Sequence, residues 1–126
     1  MDLYVTPGDE LPLYRQIIRQ ITDAIAGSRL KSGDKLPSHR DLATQLVIAP
    51  LTVKKAYDEL EQGGLIETRR GRGTFVRQRL PRARDGESRE RLRDAAQRLL
   101  SQAALSGVPF SEVLDLLEEI RKGMES

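Results

Sequence analysis

The sequence predicts an α+β, mostly helical fold, in which three helices lead into a β-hairpin and two further helices follow. Three observations predict it. Apolar residues recur at helical spacing in five separate stretches. Two short strand-like runs flank the glycine-rich turn Arg70-Gly71-Arg72-Gly73. Glycine, proline or a capping residue stands at the boundaries between stretches.

Taken in order, Pro7-Gly8 marks a loop, and Pro12 suits the first turn of a helix, where its missing N–H is no loss. Tyr14, Ile17, Ile18, Ile21 and Ile25 then form one apolar stripe. Gly27 is expected to end this helix in a left-handed conformation. Lys31-Ser32-Gly33-Asp34 is a turn between the apolar anchors Leu30 and Leu36. Ser38 opens the second helix three residues before Asp41, a pairing like a capping box, and Leu42, Ala43 and Leu46 supply its buried side. Val53, Ala56, Tyr57 and Leu60 define the third helix, which Gly63-Gly64 terminates.

Leu65–Arg69 and Thr74–Arg77 are the arms of the hairpin, with glycine supplying the positive φ of a tight reversal. Residues 78–88, with Pro81, Gly86 and alternating charge, form a linker. Leu92, Ala95, Ala96, Leu99, Leu100 and Ala103 make an amphipathic helix closed by Gly107 and Pro109. Ser111 is expected to cap a last helix whose apolar positions are Val113, Leu114, Leu116, Leu117 and Ile120.

Composition narrows the class. Hydrophobic residues make up 38% and charged residues 32% of the 126, as in a soluble globular domain with or without an appendage. No run approaches the roughly 18 apolar residues of a membrane helix, and Met1-Asp2-Leu3-Tyr4 lacks the character of a secretory signal. There is no cysteine, which excludes disulfides, thiol catalysis and cysteine-held metal. A cytoplasmic protein that does not engage a membrane is expected. Charge is uneven: residues 1–82 carry 14 Lys/Arg against 10 Asp/Glu, and residues 83–126 carry 7 against 9. The densest basic stretch is Arg69, Arg70, Arg72, Arg77, Arg79, Arg82 and Arg84, the kind of footprint that phosphate backbones attract.

Three helices followed by a hairpin is the order of a winged helix-turn-helix, whose third helix lies in the major groove, about 12 Å wide. At about 100° per residue, Val53, Ala56, Tyr57 and Leu60 fall on one side of that helix. Leu51, Lys55, Asp58 and Gln62 then point away, with Lys54 on the flank. Leu51, Thr52, Lys54 and Lys55 therefore crowd the leading edge, the part that meets base edges. Ser38 and Arg40 begin the second helix, whose free amides attract a phosphate, and the Arg40 fork also matches guanine. Arg70 and Arg72 at the hairpin tip, with Gly73 beside them, reach the minor groove or the backbone.

These segments resemble the DNA-binding domain of the GntR family of bacterial regulators. The residues that carry the likeness are Pro12-Leu13-Tyr14, the run Leu36 to Ala43, Thr52-Val53 with Ala56-Tyr57 and Leu60, and Gly64-Leu65-Ile66 with Gly71, Gly73 and Phe75-Val76. The short C-terminal part resembles the YtrA-type subfamily, whose C-terminal helices dimerise. The resemblance implies DNA contacts at Arg40, Thr52, Lys54 and the wing around Gly73. It also implies repression of the chain's own operon, often one encoding a membrane transporter.

Three positions depart from the family pattern. Val47 stands where glycine is frequent in the turn, and a β-branched residue in left-handed geometry costs on the order of 1–2 kcal/mol, so a reshaped turn is expected. Ala49 and Leu51 replace polar residues beside Pro50, leaving the third helix without a side-chain cap. Leu51 cannot donate a hydrogen bond, and contact with a thymine methyl is expected of it instead.

Residues 1–80 are thus expected to bind DNA and residues 81–126 to comprise a linker and two dimerisation helices. Some 40 residues cannot bury the apolar stripes of Leu92, Leu99, Leu100, Leu114, Leu117 and Ile120 alone. A second copy resolves this and matches a palindromic operator with half-sites about 34 Å apart, or a multiple. Folding back as a monomer is the alternative. The expected function is sequence-specific repression by a homodimer on double-stranded DNA. Two rivals stand beside it, a winged helix that binds protein and an enzyme. Against the enzyme, no nucleophile–base pair, paired carboxylates or metal cluster emerges, and His39 is the only histidine, so no catalytic residue, metal or cofactor is expected. An unknown small-molecule effector would have to bind in the dimer interface or between domains. Tyr14 and Tyr57 are expected in the core, and Arg89, Arg91, Arg93 and Arg98 on a solvated helix face.

Overall fold

The computed structural model describes residues 2–78 and 87–125. Arg79, Arg82 and Arg84 of the basic stretch, and residues 79–86 of the linker, lie outside them. The order is α1 (Leu13–Ala26), β1 (Lys35–Leu36), α2 (His39–Leu46), α3 (Pro50–Gln62), β2 (Ile66–Arg69), β3 (Gly73–Val76), α4 (Glu87–Leu105) and α5 (Phe110–Glu125). The chain divides into two compact units, 1–81 and 82–126. This is the winged helix-turn-helix architecture, mostly helical, with one small sheet.

In the first unit α1 and α2 both pack on α3. Ile17 and Ile21 of α1, Leu42 of α2, Val53, Ala56 and Leu60 of α3, and Leu36, Ile66 and Val76 of the strands form the buried centre. The apolar stripes of α1, α2 and α3 face this centre, with Tyr14, Ile18 and Leu46 only partly buried against it. An extended N-terminal arm lies along α1, held by two glutamines one turn apart. The Gln16 side chain accepts from the Thr6 amide at 2.8 Å and donates to the Thr6 and Leu11 carbonyls, while Gln20 donates to the Tyr4 carbonyl and accepts from its amide. These side-chain amides act as the missing neighbour of a strand, satisfying backbone groups that would otherwise face only water. Leu3 and Val5 pack under the arm against the core.

The hairpin is the expected one, with a third strand added. β3 lies between β1 and β2, antiparallel to both, in the registers Lys35↔Phe75 and Arg69↔Gly73. Leu36, expected as an anchor beside a turn, is a strand residue. The turn is present, closed by the Lys31 amide on the Asp34 carboxylate at 2.8 Å, but it delivers the chain directly into a strand.

Four helices end in one motif, in which the amide after a left-handed residue reaches back to a carbonyl five positions earlier. Gly64 (φ 78°) follows α3 and Gly107 (φ 70°) follows α4 in this way. Two expectations are corrected here. After α1 the left-handed residue is Ser28 (φ 59°), not Gly27, which keeps φ −87°. The Arg29 and Leu30 amides both bond the Ala24 carbonyl, and that closure places the reversal one residue beyond the glycine. After α2 the turn is not reshaped: Val47 itself adopts φ 57°, ψ 50°, and the Ile48 amide bonds the Ala43 carbonyl at 3.0 Å. Its side chain is 87% exposed, so the branched methyls meet solvent and only the backbone is strained.

In the second unit Val113 is buried, and Leu99, Ala103 and Val108 are half-buried. Ser111 does not cap α5, which corrects a third expectation. The Pro109 carbonyl receives the Glu112 and Val113 amides at 3.0 and 3.2 Å, so the helix starts at Phe110 and Ser111 lies within its first turn.

Candidate nucleic-acid interface

The helix-turn-helix is positioned by Tyr57. Its ring is buried on the inner face of α3, and its hydroxyl donates to the Pro37 carbonyl at 2.8 Å. Burial pushes the phenol well above the ordinary tyrosine range, so it remains a donor at any physiological pH. Tyr57 thereby ties α3 to the residue just ahead of α2. Ser38 then caps α2, its Oγ accepting from the Asp41 amide at 3.1 Å. The hydroxyl proton of Ser38 is left to donate outward, and Arg40 projects into solvent beside it.

The leading edge of α3 is built without a side-chain cap. Pro50 occupies the first turn, Ala49 holds the cap position in extended backbone, and the Thr52 amide bonds the Ala49 carbonyl at 3.0 Å. Leu51 is 77% exposed, so the leading edge presents an apolar side chain to solvent. Thr52 is half-buried, and Lys54 and Lys55 are exposed. The two lysines differ. Lys54 pairs with Asp58 one turn on at 2.9 Å, a solvated contact worth about 0.3–0.5 kcal/mol. Lys55 leans toward α1, its ammonium 4.0 Å from the centre of the Tyr14 ring. Tyr14 is therefore half-buried with one face taken by a cation, rather than a plain core residue.

At the wing, residues 70–72 form the tip. The Arg72 amide closes on the Arg69 carbonyl at 2.9 Å, and Gly71 takes φ 76°. Arg70 and Arg72 are exposed. Arg69 is not free in the same way: it pairs with Glu67 at 2.8 Å and lies 4.9 Å from the centre of the Phe75 ring. Gly73 is the first residue of β3, with φ 123°.

The structure thus places Ser38, Arg40, Leu51, Thr52 and Lys54 at the exposed starts of α2 and α3. Lys55 is turned toward α1, and Arg70, Arg72 and Gly73 belong to the hairpin. Two features escaped sequence reasoning. Lys35 reaches the wing only because β1 pairs with β3, and a two-residue strand carries no periodic signal. The Lys54–Asp58 pair was missed although its spacing of four is a signal for it. Among the described residues no group of three His, Cys, Asp or Glu is placed to hold a metal, and no helix is long and apolar enough to cross a membrane.

The winged-helix segment is matched among known proteins. The signature of the gntR family of bacterial regulatory proteins covers residues 13–76. The chain belongs to that family. Its relative the HTH-type transcriptional repressor YtrA of Bacillus subtilis (strain 168) is 36% identical over 118 residues, 94% of this chain and 91% of that one. A transcriptional antiterminator of Listeria monocytogenes EGD-e superposes with a TM-score of 0.87 at 26% identity, covering 100% of this chain and 94% of its own. AraR(DBD) in complex with operator ORX1 superposes at TM-score 0.51 and 32% identity, over 59% of this chain and 92% of that one. The gntR-family chain is accordingly a DNA-binding regulator of transcription and not an enzyme.

Proposed function

We infer that this regulator is a repressor that binds a palindromic operator as a homodimer in the cytoplasm. One observation carries the reading. The α3 face of Val53, Ala56, Tyr57 and Leu60 is sealed in the core while Leu51 and Lys54 stand in solvent at its leading edge. Residues 1–80 supply recognition, with Ser38 and Arg40 at the start of α2, Leu51, Thr52, Lys54 and Lys55 on α3, and Arg70, Arg72 and Gly73 at the wing. Repression follows from occupying promoter DNA, and the name of the Bacillus relative supports that sense.

Residues 81–126 supply pairing. Leu92, Leu100, Leu114, Leu117 and Ile120 are all at least 45% exposed in the single chain, and with Leu99 they form apolar faces that a second copy covers. Surfaces of this kind mark interaction sites. Any small-molecule effector is to be sought at that interface.

The test is selection from random duplexes by purified protein at two salt concentrations. The expected product is a two-fold symmetric motif with half-sites one helical turn apart, or a multiple. Arg40→Ala should then lose about 1–3 kcal/mol and relax preference at one base pair per half-site. Recovery of no motif at either salt would overturn the reading.

A further inference from the structure

We propose that Lys35, on β1, is a third cation of the wing and sets its ammonium against a DNA phosphate, guided there by the bare Cα of Gly73. This rests on the reading that the hairpin engages duplex DNA.

Side chains alternate across a sheet, and the register sorts them. Leu36, Thr74, Ile66 and Val76 point inward, the four of them buried. Lys35, Phe75, Glu67, Arg69 and Gly73 share the outer face. From its place opposite Phe75, the Lys35 stem runs along that face to Gly73. Its Cε lies 2.9 Å, and its Nζ 3.6 Å, from the point a Cβ on residue 73 would occupy. A Cβ there would crowd the lysine stem, and glycine is the residue that readily adopts the φ of 123° found there. The ammonium is thus delivered to the base of the loop that carries Arg70 and Arg72.

The outer face also explains why this cation is available. Glu67 is its one carboxylate, and Arg69 holds it while stacking on Phe75. Among the described residues no carboxylate pairs with Lys35. A lysine ammonium is a compact, strongly hydrated charge with no planar fork, suited to a phosphate oxygen rather than a base edge. Lys35 therefore sets the seating and affinity of the wing, and sequence choice stays with the helices.

The test measures binding to the selected operator and to a random duplex across a salt series, with melting to confirm folding. Lys35→Ala and Lys35→Gln should weaken both duplexes several-fold by the same factor. Each should make the slope of log K against log salt shallower by about 0.9 per protomer, while Lys35→Arg keeps the wild-type slope. A wild-type slope for folded Lys35→Ala and Lys35→Gln overturns the proposal. If Arg72→Ala flattens the slope and Lys35→Ala does not, the wing reading stands and Lys35 is only a packed stem. If neither does, the hairpin does not touch DNA and the wing reading falls as well.

Discussion

Val47 sits at the apex of the turn between α2 and α3 with a backbone that glycine adopts freely and valine does not. Its side chain makes no packing contribution to lose, so Val47→Gly should stabilise the protein by about 1 kcal/mol, the strain relieved less the extra entropy of an unfolded glycine. Thermal melting should register this as a rise of about 4–8 °C. Tyr57 gives a prediction in pH. Its folded phenol holds its proton more tightly than the unfolded one, so its contribution is constant below about pH 10, where the unfolded side chain titrates, and is lost as pH rises beyond. Tyr57→Phe should cost about 1 kcal/mol at neutral pH through the orphaned Pro37 carbonyl. Denaturant titrations should also show a shallower fall in stability between pH 9 and about pH 11 for that variant. At this scale the sequence was only partly legible. The family pattern marked Val47 as a departure, but whether strain is absorbed or avoided depends on Ile48 and Ala43 closing the turn.

At the scale of elements, α3 was the most readable piece, because its four apolar positions keep helical period and its two glycines end it. β1 was the least readable, since pairing of Lys35 with Phe75 is a long-range event with no local pattern. The glutamine clasp of the arm was hidden for the same reason. The Gln16 and Gln20 amides serve distant backbone, and nothing in their own neighbourhood announces it. Within α3 the exposed Lys54–Asp58 pair holds the lysine along its own helix, and entry into a groove must part it at small cost. Asp58→Asn should release Lys54 and remove a like charge facing phosphate. Operator affinity is expected to rise a few-fold, with a steeper dependence on salt; unchanged affinity in a gel-shift titration would place Lys54 off the DNA.

For the molecule as a whole, the winged helix has a closed core while α4 and α5 carry apolar faces open to water. The amphipathic patterns of both helices were legible, but what covers them depends on a surface outside the single chain. Leu117→Glu, at a position 45% exposed, should leave the α4–α5 unit folded by circular dichroism and render the protein monomeric in sedimentation. Operator affinity should fall by about a hundredfold or more, because two linked recognition surfaces become one. A dimeric Leu117→Glu protein would move the pairing surface elsewhere. These open faces bear on dosage. Where copies must pair before they grip both halves of a site, the gripping species grows as the square of chain number until pairing saturates. A modest dilution of the cell's supply then empties the promoter more sharply than a pre-assembled regulator would.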